Sequence, residues 1–161
     1  MTRSHVAFMQ EALKEARLAF AEDEVPVGAV VVREGKVIAR GHNQVERLTD
    51  PTAHAEMLAL TAATSFADAK WLRDASLYVT VEPCAMCAGA LVLSRIKKVY
   101  FGAPDPKTGA CGSVVNIVNH KKLNHRIKVE KGILTEECAA LLSEFFKKKR
   151  GRSRSFATPA V

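Results

Sequence analysis

The feature that most constrains the fold is a continuous run of apolar, mostly β-branched residues from Val25 to Val32. A run of this kind, without alternation of polar and apolar residues, is typical of a strand buried on both faces. Such a strand needs a layer of structure on each side. Glu34-Gly35 then predicts a tight turn, and residues 36–40 predict the partner strand of a hairpin.

Further strands and helices alternate along the rest of the chain. Apolar residues spaced three and four apart predict an amphipathic helix from Val6 to Phe20. Asp50 and Pro51 predict the start of a second helix, which runs to about Phe66. Strands are also predicted over residues 76–81, 98–102 and 127–130, and helices over residues 84–94, 114–118 and from Thr135 onwards. Five strands and five helices, mostly alternating, predict a three-layer α/β domain.

Composition favours a single soluble domain, because nearly half of the 161 residues are apolar and a quarter are charged. No apolar run approaches the roughly eighteen residues that a membrane span needs, and residues 1–5 lack the pattern of a signal peptide. We therefore expect a cytoplasmic protein that does not bind membranes. Thiols stay reduced in that compartment, so the four cysteines favour metal binding or core packing over disulfides.

The net charge of +7 is concentrated in the last quarter of the chain. Residues 1–120 carry thirteen basic and thirteen acidic side chains, whereas residues 121–161 carry eleven basic and four acidic ones. This distribution fits a polyanionic partner such as nucleic acid. A solvated helix end with a basic tail that aids solubility remains an equal alternative.

Two short segments together offer a metal site: His54-Ala55-Glu56 and Pro83-Cys84-Ala85-Met86-Cys87. Each segment falls in the first turn of a predicted helix. Cys84 and Cys87 are three residues apart, so they share one helix face and can bind one ion. The positive end of the helix dipole favours their thiolate forms, and His54 can serve as a third ligand. Two thiolates and an imidazole indicate zinc.

The number of ligands separates a catalytic zinc from a structural one. A structural zinc has four protein ligands, whereas three leave a position for water. Cys111 and Cys138 stand apart from each other and do not form a second pair. Glu56 follows His54 by two residues and points away from it, so we expect it to act as a base rather than a ligand. A structural zinc and a redox Cys-x-x-Cys pair remain as alternatives.

These segments resemble the zinc cytidine/deoxycytidylate deaminase superfamily and, within it, the bacterial tRNA-specific adenosine deaminases. The resemblance extends from about residue 5 to residue 150 and includes residues 24–29, 50–56, 77–84, 94–96, 124–126 and 145–146. It implies a cytidine-deaminase-like fold, with a five-stranded mixed sheet flanked by about five helices, over residues 1–150. The basic residues 151–161 match no pattern of the family, and we expect them to form a disordered tail.

The implied reaction is the hydrolytic deamination of adenosine to inosine at the wobble position of a tRNA anticodon loop, with one zinc ion per subunit. In zinc deaminases that act on flipped bases, a glutamate moves the protons and a zinc-activated water attacks the base. The resemblance also implies a homodimer, in which the partner subunit helps to complete the RNA site. A hairpin loop suits such a reaction because its bases are already unstacked.

The resemblance also implies roles for individual residues. We expect backbone amides near Ala55 and Cys84 to hold the new oxygen atom, and Asn43 to contact the flipped nucleotide. One of the two adjacent phenylalanines is expected in the core and the other near the RNA bases. The residues expected to contact substrate or RNA are Val27, Gly28, Ala29, Asn43, Ala55, Pro83, Asp105, Lys107, Asn124, Arg126, Phe145 and Phe146. Plain structural roles remain as alternatives: a turn at Asn43, a buried strand over 27–29 and a turn at Asn124.

Two other functions remain open at this point. The first is a deaminase of free cytosine, guanine or a nucleotide, against which the basic last quarter and the aromatic pair argue. The second is an RNA-binding zinc protein without turnover. The presence of Glu56 argues against it, because a purely structural zinc site has no use for a carboxylate at that position.

Overall fold

A five-stranded sheet forms the centre of the molecule in the computed structural model, which describes residues 3–155. The strands are β1 (Gly28–Arg33), β2 (Lys36–His42), β3 (Ala75–Val81), β4 (Lys98–Ala103) and β5 (Lys128–Lys131). Their order across the sheet is β2-β1-β3-β4-β5. β1 is antiparallel to β2 and β3, whereas β3, β4 and β5 are parallel. The predicted five-stranded mixed sheet is therefore confirmed.

Helices cover both faces of this sheet. They are α1 (Arg3–Ala21), α2 (Val45–Leu48), α3 (Ala55–Ala67), α4 (Ala85–Leu93) and α5 (Thr135–Ser155). The core between the sheet and α1 and α5 contains Met9, Tyr78 and Cys138. The core on the other face contains residues of α3 and α4, such as Ala59 and Leu91. These two cores explain why β1 is apolar from Gly28 to Val32, as a strand between two layers must be.

The hairpin of β1 and β2 forms as its turn residues predict. Glu34 and Gly35 have φ angles of 51° and 73°, and positive φ at both central residues matches the twist of a two-residue hairpin. At the start of β1, α1 crosses so closely that a Cβ atom on Gly28 would collide with the carbonyl oxygen of Ala12. Gly28 therefore serves the packing of α1 against the sheet.

Two helix predictions are wrong. The second helix begins at Ala55 rather than at Asp50-Pro51, because the Asp50 carboxylate accepts hydrogen bonds from the Thr52 amide and hydroxyl and holds a turn there. Residues 114–118 form turns and an isolated bridge instead of a helix. Gly112, with a φ of 130°, precedes them, and Val114 and Val115 remain exposed. Because no helix forms here, the side chains of Val114 and Val115 do not belong to a buried helix face.

The last helix is longer than expected. α5 continues to Ser155, so residues 151–155 are helical where we expected a disordered tail. Arg152 pairs with Asp23 at 2.9 Å, and Lys148 lies 5.3 Å from the centre of the Phe20 ring. These contacts hold the basic end of α5 against the region around the end of α1. The rest of the expected tail lies outside the described residues. Within residues 3–155, no helix combines the length and hydropathy required for a membrane span.

Candidate active site

The two segments with candidate metal ligands meet at the starts of α3 and α4. His54 and Cys84 occupy the N-cap positions of these helices, and both have extended backbone conformations. Neither side chain makes a hydrogen bond that caps its own helix. The two side chains instead face each other across the space between the helices. Cys87 lies one turn into α4, on the same face as Cys84.

The distances among these three side chains fit a zinc ion. The Nδ1 atom of His54 lies 3.6 Å from the Sγ atom of Cys84 and 3.5 Å from that of Cys87. All three donor atoms lie within 4.8 Å of one another. Tetrahedral bonds of about 2.3 Å to sulfur and about 2.1 Å to nitrogen would separate these atoms by about 3.6 Å. The donor set therefore has the chemistry and the spacing of a zinc site with three protein ligands.

The thiol and imidazole groups of this cluster influence one another's protonation. Hydrogen bonds with Cys87 and His54 lower the pKa of Cys84 to about 4. The hydrogen bond between the two cysteines, together with burial, raises the pKa of Cys87. The hydrogen bond with Cys84 raises the pKa of His54 despite the opposing effect of burial. Cys84 is therefore the thiol that is ready to bind a cation as a thiolate.

Glu56 lies beside this cluster in the first turn of α3 and is almost completely buried. Burial raises its pKa to about 7. An interaction with the Cys87 thiol offsets only a small part of this shift. A carboxyl with this pKa can both accept and release a proton near neutral pH, as a general acid–base catalyst must.

A cavity of about 510 Å³ opens above these residues. Its walls come from the α1–β1 connection, from the segment around α2, from the loop after β4 and from α5. Eight of the residues predicted from the sequence line it: Val27, Asn43, His54, Glu56, Cys84, Asp105, Lys107 and Phe146. This volume is within the range of small-molecule sites in proteins.

Other predicted residues lie outside the cavity lining. Ala29, Ala55 and Cys87 are fully buried, while Gly28 packs against α1 and Pro83 accepts a hydrogen bond from Ala110. Phe145 is in the core and contacts Phe20, whereas its neighbour Phe146 is 42% exposed and lines the cavity. Asn124 and Arg126 are exposed. None of the residues that line the cavity is close to them in the sequence.

Asn43 connects β2 to the start of α3. Its backbone amide donates to the carbonyl of Val27, and its Oδ1 atom accepts a hydrogen bond of 2.9 Å from the Ala55 amide. The Ala55 amide, which we expected to hold the new oxygen atom of the product, therefore binds Asn43 in this structure. The oxygen end of the Asn43 side chain is occupied, which leaves its amino end as the donor that can face a ligand.

Two buried glutamates in the cavity walls, Glu24 and Glu82, were not among the site residues predicted from the sequence. Glu24 accepts hydrogen bonds from the amides of Glu46 and Arg47 and so holds α2. Glu82 accepts hydrogen bonds from the loop after β4. A signal was present for Glu82, which is a single acidic residue at the end of an apolar run, where burial requires hydrogen-bond partners. Glu24 is the last of three consecutive acidic residues, and nothing in the sequence marks it as the buried one.

A second groove, of about 380 Å³, adjoins the cavity. Lys107, Leu142 and Phe146 line both spaces, and Ser143, Lys147 and Arg150 complete the groove. Three of these six side chains carry positive charge, and one is aromatic. The groove therefore joins a basic, partly aromatic surface of α5 to the mouth of the cavity.

The fold and the zinc-type donor set with an adjacent buried glutamate define a deaminase. The family model of the MafB19-like deaminases matches residues 3–150. A tRNA-specific adenosine deaminase of Aquifex aeolicus (strain VF5) is 56% identical over 143 residues, which cover 89% of this chain and 94% of the relative. One of Bacillus subtilis (strain 168) is 47% identical over 92% of each chain. This chain belongs to the family of tRNA-specific adenosine deaminases.

Solved structures agree with this assignment. One, from a study of A-to-I editing by tRNA:A34 deaminases at the wobble position of transfer RNA, has a TM-score of 0.82 and 45% identity. It covers 84% of this chain and 99% of the solved one. A guanine deaminase from Nitrosomonas europaea has a TM-score of 0.76 and 29% identity, over 87% of this chain and 83% of the other. The fold is thus shared by deaminases of different substrates.

Proposed function

We propose that this protein deaminates adenosine to inosine by hydrolysis at the wobble position of a tRNA anticodon loop. The observation that carries the proposal is the buried Glu56 beside His54, Cys84 and Cys87, in a chain 56% identical to a tRNA-specific adenosine deaminase. The same carboxyl lines a cavity of suitable size for a purine base.

His54, Cys84 and Cys87 would hold one zinc ion per subunit. When bound, zinc with three protein ligands supplies the nucleophile by lowering the pKa of a water molecule. Glu56 accepts one proton from the attacking water and delivers it to the ring nitrogen N1. It then accepts the second proton from the oxygen atom that is now bonded to C6 and delivers it to the amino group, which leaves as ammonia. The C6–N bond breaks and a C6–O bond forms, so inosine remains.

The cavity would receive an extruded adenine base. Val27 offers an apolar contact from one wall, and the amino end of the Asn43 side chain offers a donor. A hairpin loop presents bases that are already unstacked, so extrusion of one base is inexpensive there. We therefore assign the anticodon loop, rather than paired RNA, as the substrate.

RNA outside the cavity would meet the groove along α5. Lys107, Lys147 and Arg150 provide positive charge for phosphates, and Phe146 provides a ring on which a neighbouring base can stack. We also propose contacts with RNA for Asp105, and for Asn124 and Arg126 outside the cavity. Five of the predicted residues would then act indirectly, because they pack behind the residues that line the cavity. They are Gly28, Ala29, Ala55, Pro83 and Phe145.

We further propose a homodimer whose partner subunit helps to complete the RNA site. Large apolar side chains remain exposed on α3, on α4 and in the segment after β4, namely Phe66, Leu93 and Val114, and such side chains favour a protein interface. Sedimentation of the purified protein at a mass of one chain would refute the dimer.

Residues 1–150 would form the deaminase domain, with residues 151–161 appended to it. The enzyme would act on tRNA in the cytoplasm.

The decisive experiment compares a hairpin RNA carrying a loop adenosine with free adenosine, cytidine and guanine. We expect inosine, measured after nuclease digestion, only from the hairpin. Conversion of a free base or nucleoside without conversion of the hairpin would overturn the proposal in favour of a small-molecule deaminase, such as its structural relative the guanine deaminase. The hairpin with inosine already in place serves as the control for digestion and detection.

A further inference from the structure

A second buried carboxylate, Glu82, lies at the cavity beside the metal ligands. It follows β3 directly, is 3% exposed and lines the cavity together with Glu56. Its Oε1 atom accepts hydrogen bonds from the amides of Cys111 and Ser113, at 3.1 and 3.0 Å. Its Oε2 atom accepts one from the Asp105 amide at 2.9 Å and another from the Ser113 hydroxyl.

These four bonds occupy both oxygen atoms of Glu82. None of the ion pairs found within residues 3–155 includes this carboxylate, so the donors of one loop compensate its buried charge. A carboxylate that is fully bonded in this way is poorly suited to exchange protons with a substrate. Its interactions instead connect the end of β3 to a loop more than twenty residues further along the chain.

That loop, residues 104–113, forms one wall of the cavity through residues 104–108. It closes tightly over Glu82: the Ala110 amide donates to the Pro83 carbonyl, and Gly109 forms a bridge with Cys84. A Cβ atom on Gly109 would collide with the Glu82 carboxyl group. Only a glycine allows the backbone to approach the carboxylate this closely.

We propose that Glu82 is a positioning residue for the deaminase reaction: it holds the 104–113 loop in place as a wall of the substrate cavity, without taking part in proton transfer. The proposal rests on the proposed function, since that function makes the cavity the binding site of the base. It predicts that Glu82 contributes to binding of the RNA more than to the chemical step.

The first test is the steady-state kinetics of Glu82→Gln on the hairpin RNA. Gln keeps the size of the side chain but replaces one acceptor by a donor that faces the Asp105 amide and the Ser113 hydroxyl. We expect KM to rise by about tenfold while kcat falls by less than about threefold. The exposed Glu34→Gln variant, in the β1–β2 turn, is the matched control and should leave both constants unchanged.

Two further variants disturb the same contact by other means. Ser113→Ala removes one of the four hydrogen bonds and retains the charge, so KM should rise by about threefold. Gly109→Ala forces the loop away from an intact carboxylate and should raise KM at least as much as Glu82→Gln. These variants keep the proposal testable if Glu82→Gln does not fold.

Hydrogen exchange and the pH profile distinguish positioning from other roles. In Glu82→Gln the amides of Asp105, Cys111 and Ser113 should exchange faster, while those of β3 and β4 remain protected. Zinc content should stay near that of the wild type, and the kcat–pH profile should keep its shape. Any of three results for Glu82→Gln would overturn the proposal: a loss of zinc, faster exchange throughout the sheet, or a kcat–pH profile that no longer falls on one of its two sides.

The outcomes separate this proposal from the proposed function. If the wild type fails to convert the hairpin, the proposed function is wrong. Faster hydrogen exchange of the loop amides in Glu82→Gln would still show that Glu82 holds the 104–113 loop in place. If the wild type converts the hairpin and the KM of Glu82→Gln and Gly109→Ala is unchanged, the positioning role is wrong and the function stands.

Discussion

The floor of the cavity and its walls are built in different ways. His54, Glu56 and Cys84 line the floor, and the buried Cys87 contacts His54 from α4; all four lie at the N-caps or in the first turns of α3 and α4. The walls are α5, the short helix α2 and loops, and two buried glutamates hold α2 and the loop after β4 through backbone amides. Local helix geometry therefore places the groups on each helix, and the two helix starts meet to form the floor, whereas contacts with loops and with α5 arrange the space for the substrate.

Such a construction suits a fold that serves deaminases of different substrates. The tRNA:A34 deaminase and the guanine deaminase both match this fold, with TM-scores of 0.82 and 0.76. A helix start tolerates little change in the spacing of its ligands. Loops that are tied at a few points can vary between those points at lower cost. The variants below damage the floor and the walls separately.

The largest effect is expected at the floor, from Glu56→Gln. Gln has the shape of the glutamate but cannot accept and return a proton, so kcat on the hairpin should fall by about a thousandfold or more. Zinc content and melting temperature should remain close to the wild-type values. Turnover within about tenfold of the wild type would refute the role of Glu56 in proton transfer.

Removal of a metal ligand should also abolish turnover but with a different signature. In Cys87→Ala we expect zinc, measured by elemental analysis, to fall well below one ion per chain, because two protein ligands bind zinc weakly. Cys111→Ala is the matched control, since Cys111 is equally a buried thiol but lies outside the donor cluster. Equal loss of zinc from both variants would contradict the assignment of ligands.

At the outer wall, Lys147→Gln combined with Arg150→Gln should weaken binding of the RNA by about tenfold, because two phosphate contacts are lost. The slope of log affinity against log salt concentration should decrease by about two for the pair. Lys36→Gln, at the exposed start of β2, provides the control. An unchanged slope would mean that the α5 charges face solvent alone.

The wall around α2 offers the closest counterpart to Glu82. In Glu24→Gln one oxygen that accepts from the Glu46 or Arg47 amide is replaced by a donor, so KM should rise by about threefold with zinc retained. Glu22→Gln changes a neighbouring carboxylate that pairs with His42 and Arg47 at the surface, outside the cavity lining. A greater effect on KM from Glu22→Gln would contradict this role of Glu24.

The smallest expected effect is on the pH dependence of stability. Burial opposes ionisation of Asp105, but hydrogen bonds from the Thr108 hydroxyl and from the Lys107 and Thr108 amides outweigh it and lower the pKa of Asp105. A lowered pKa in the folded state stabilises the fold above the unfolded value near 3.8 and stops doing so as the pH falls through the folded value.

We therefore expect the difference in melting temperature between the wild type and Asp105→Asn to be present at neutral pH and to shrink below about pH 4. Because Asp105 is partly exposed, the difference should be small. Melting curves at several pH values measure it. A difference that grows as the pH falls would contradict the direction of the pKa shift.

Two helix predictions failed because a local sequence pattern can fit more than one local structure. At the start of the second helix and over residues 114–118, short-range hydrogen bonds that are not helical decide the outcome. Asp50 forms a turn with Thr52, although an aspartate before a proline is also an ordinary helix start. Helix α2 was not predicted because its four residues carry no periodic pattern. Its Glu46 and Arg47 amides find their hydrogen-bond acceptors in the buried carboxylate of Glu24.

The sequence by itself determined the strands, the order of the main helices and the residues of the His54, Cys84 and Cys87 cluster. These features depend on hydrophobic periodicity and on the spacing of ligands within a single helical turn, which are both short-range properties. Only the tertiary structure decided that His54 faces Cys84 and Cys87 at 3.5–3.6 Å and that Ala55 binds Asn43. It also decided that two glutamates hold the walls, because partners for a buried charge come from wherever the fold brings backbone amides close.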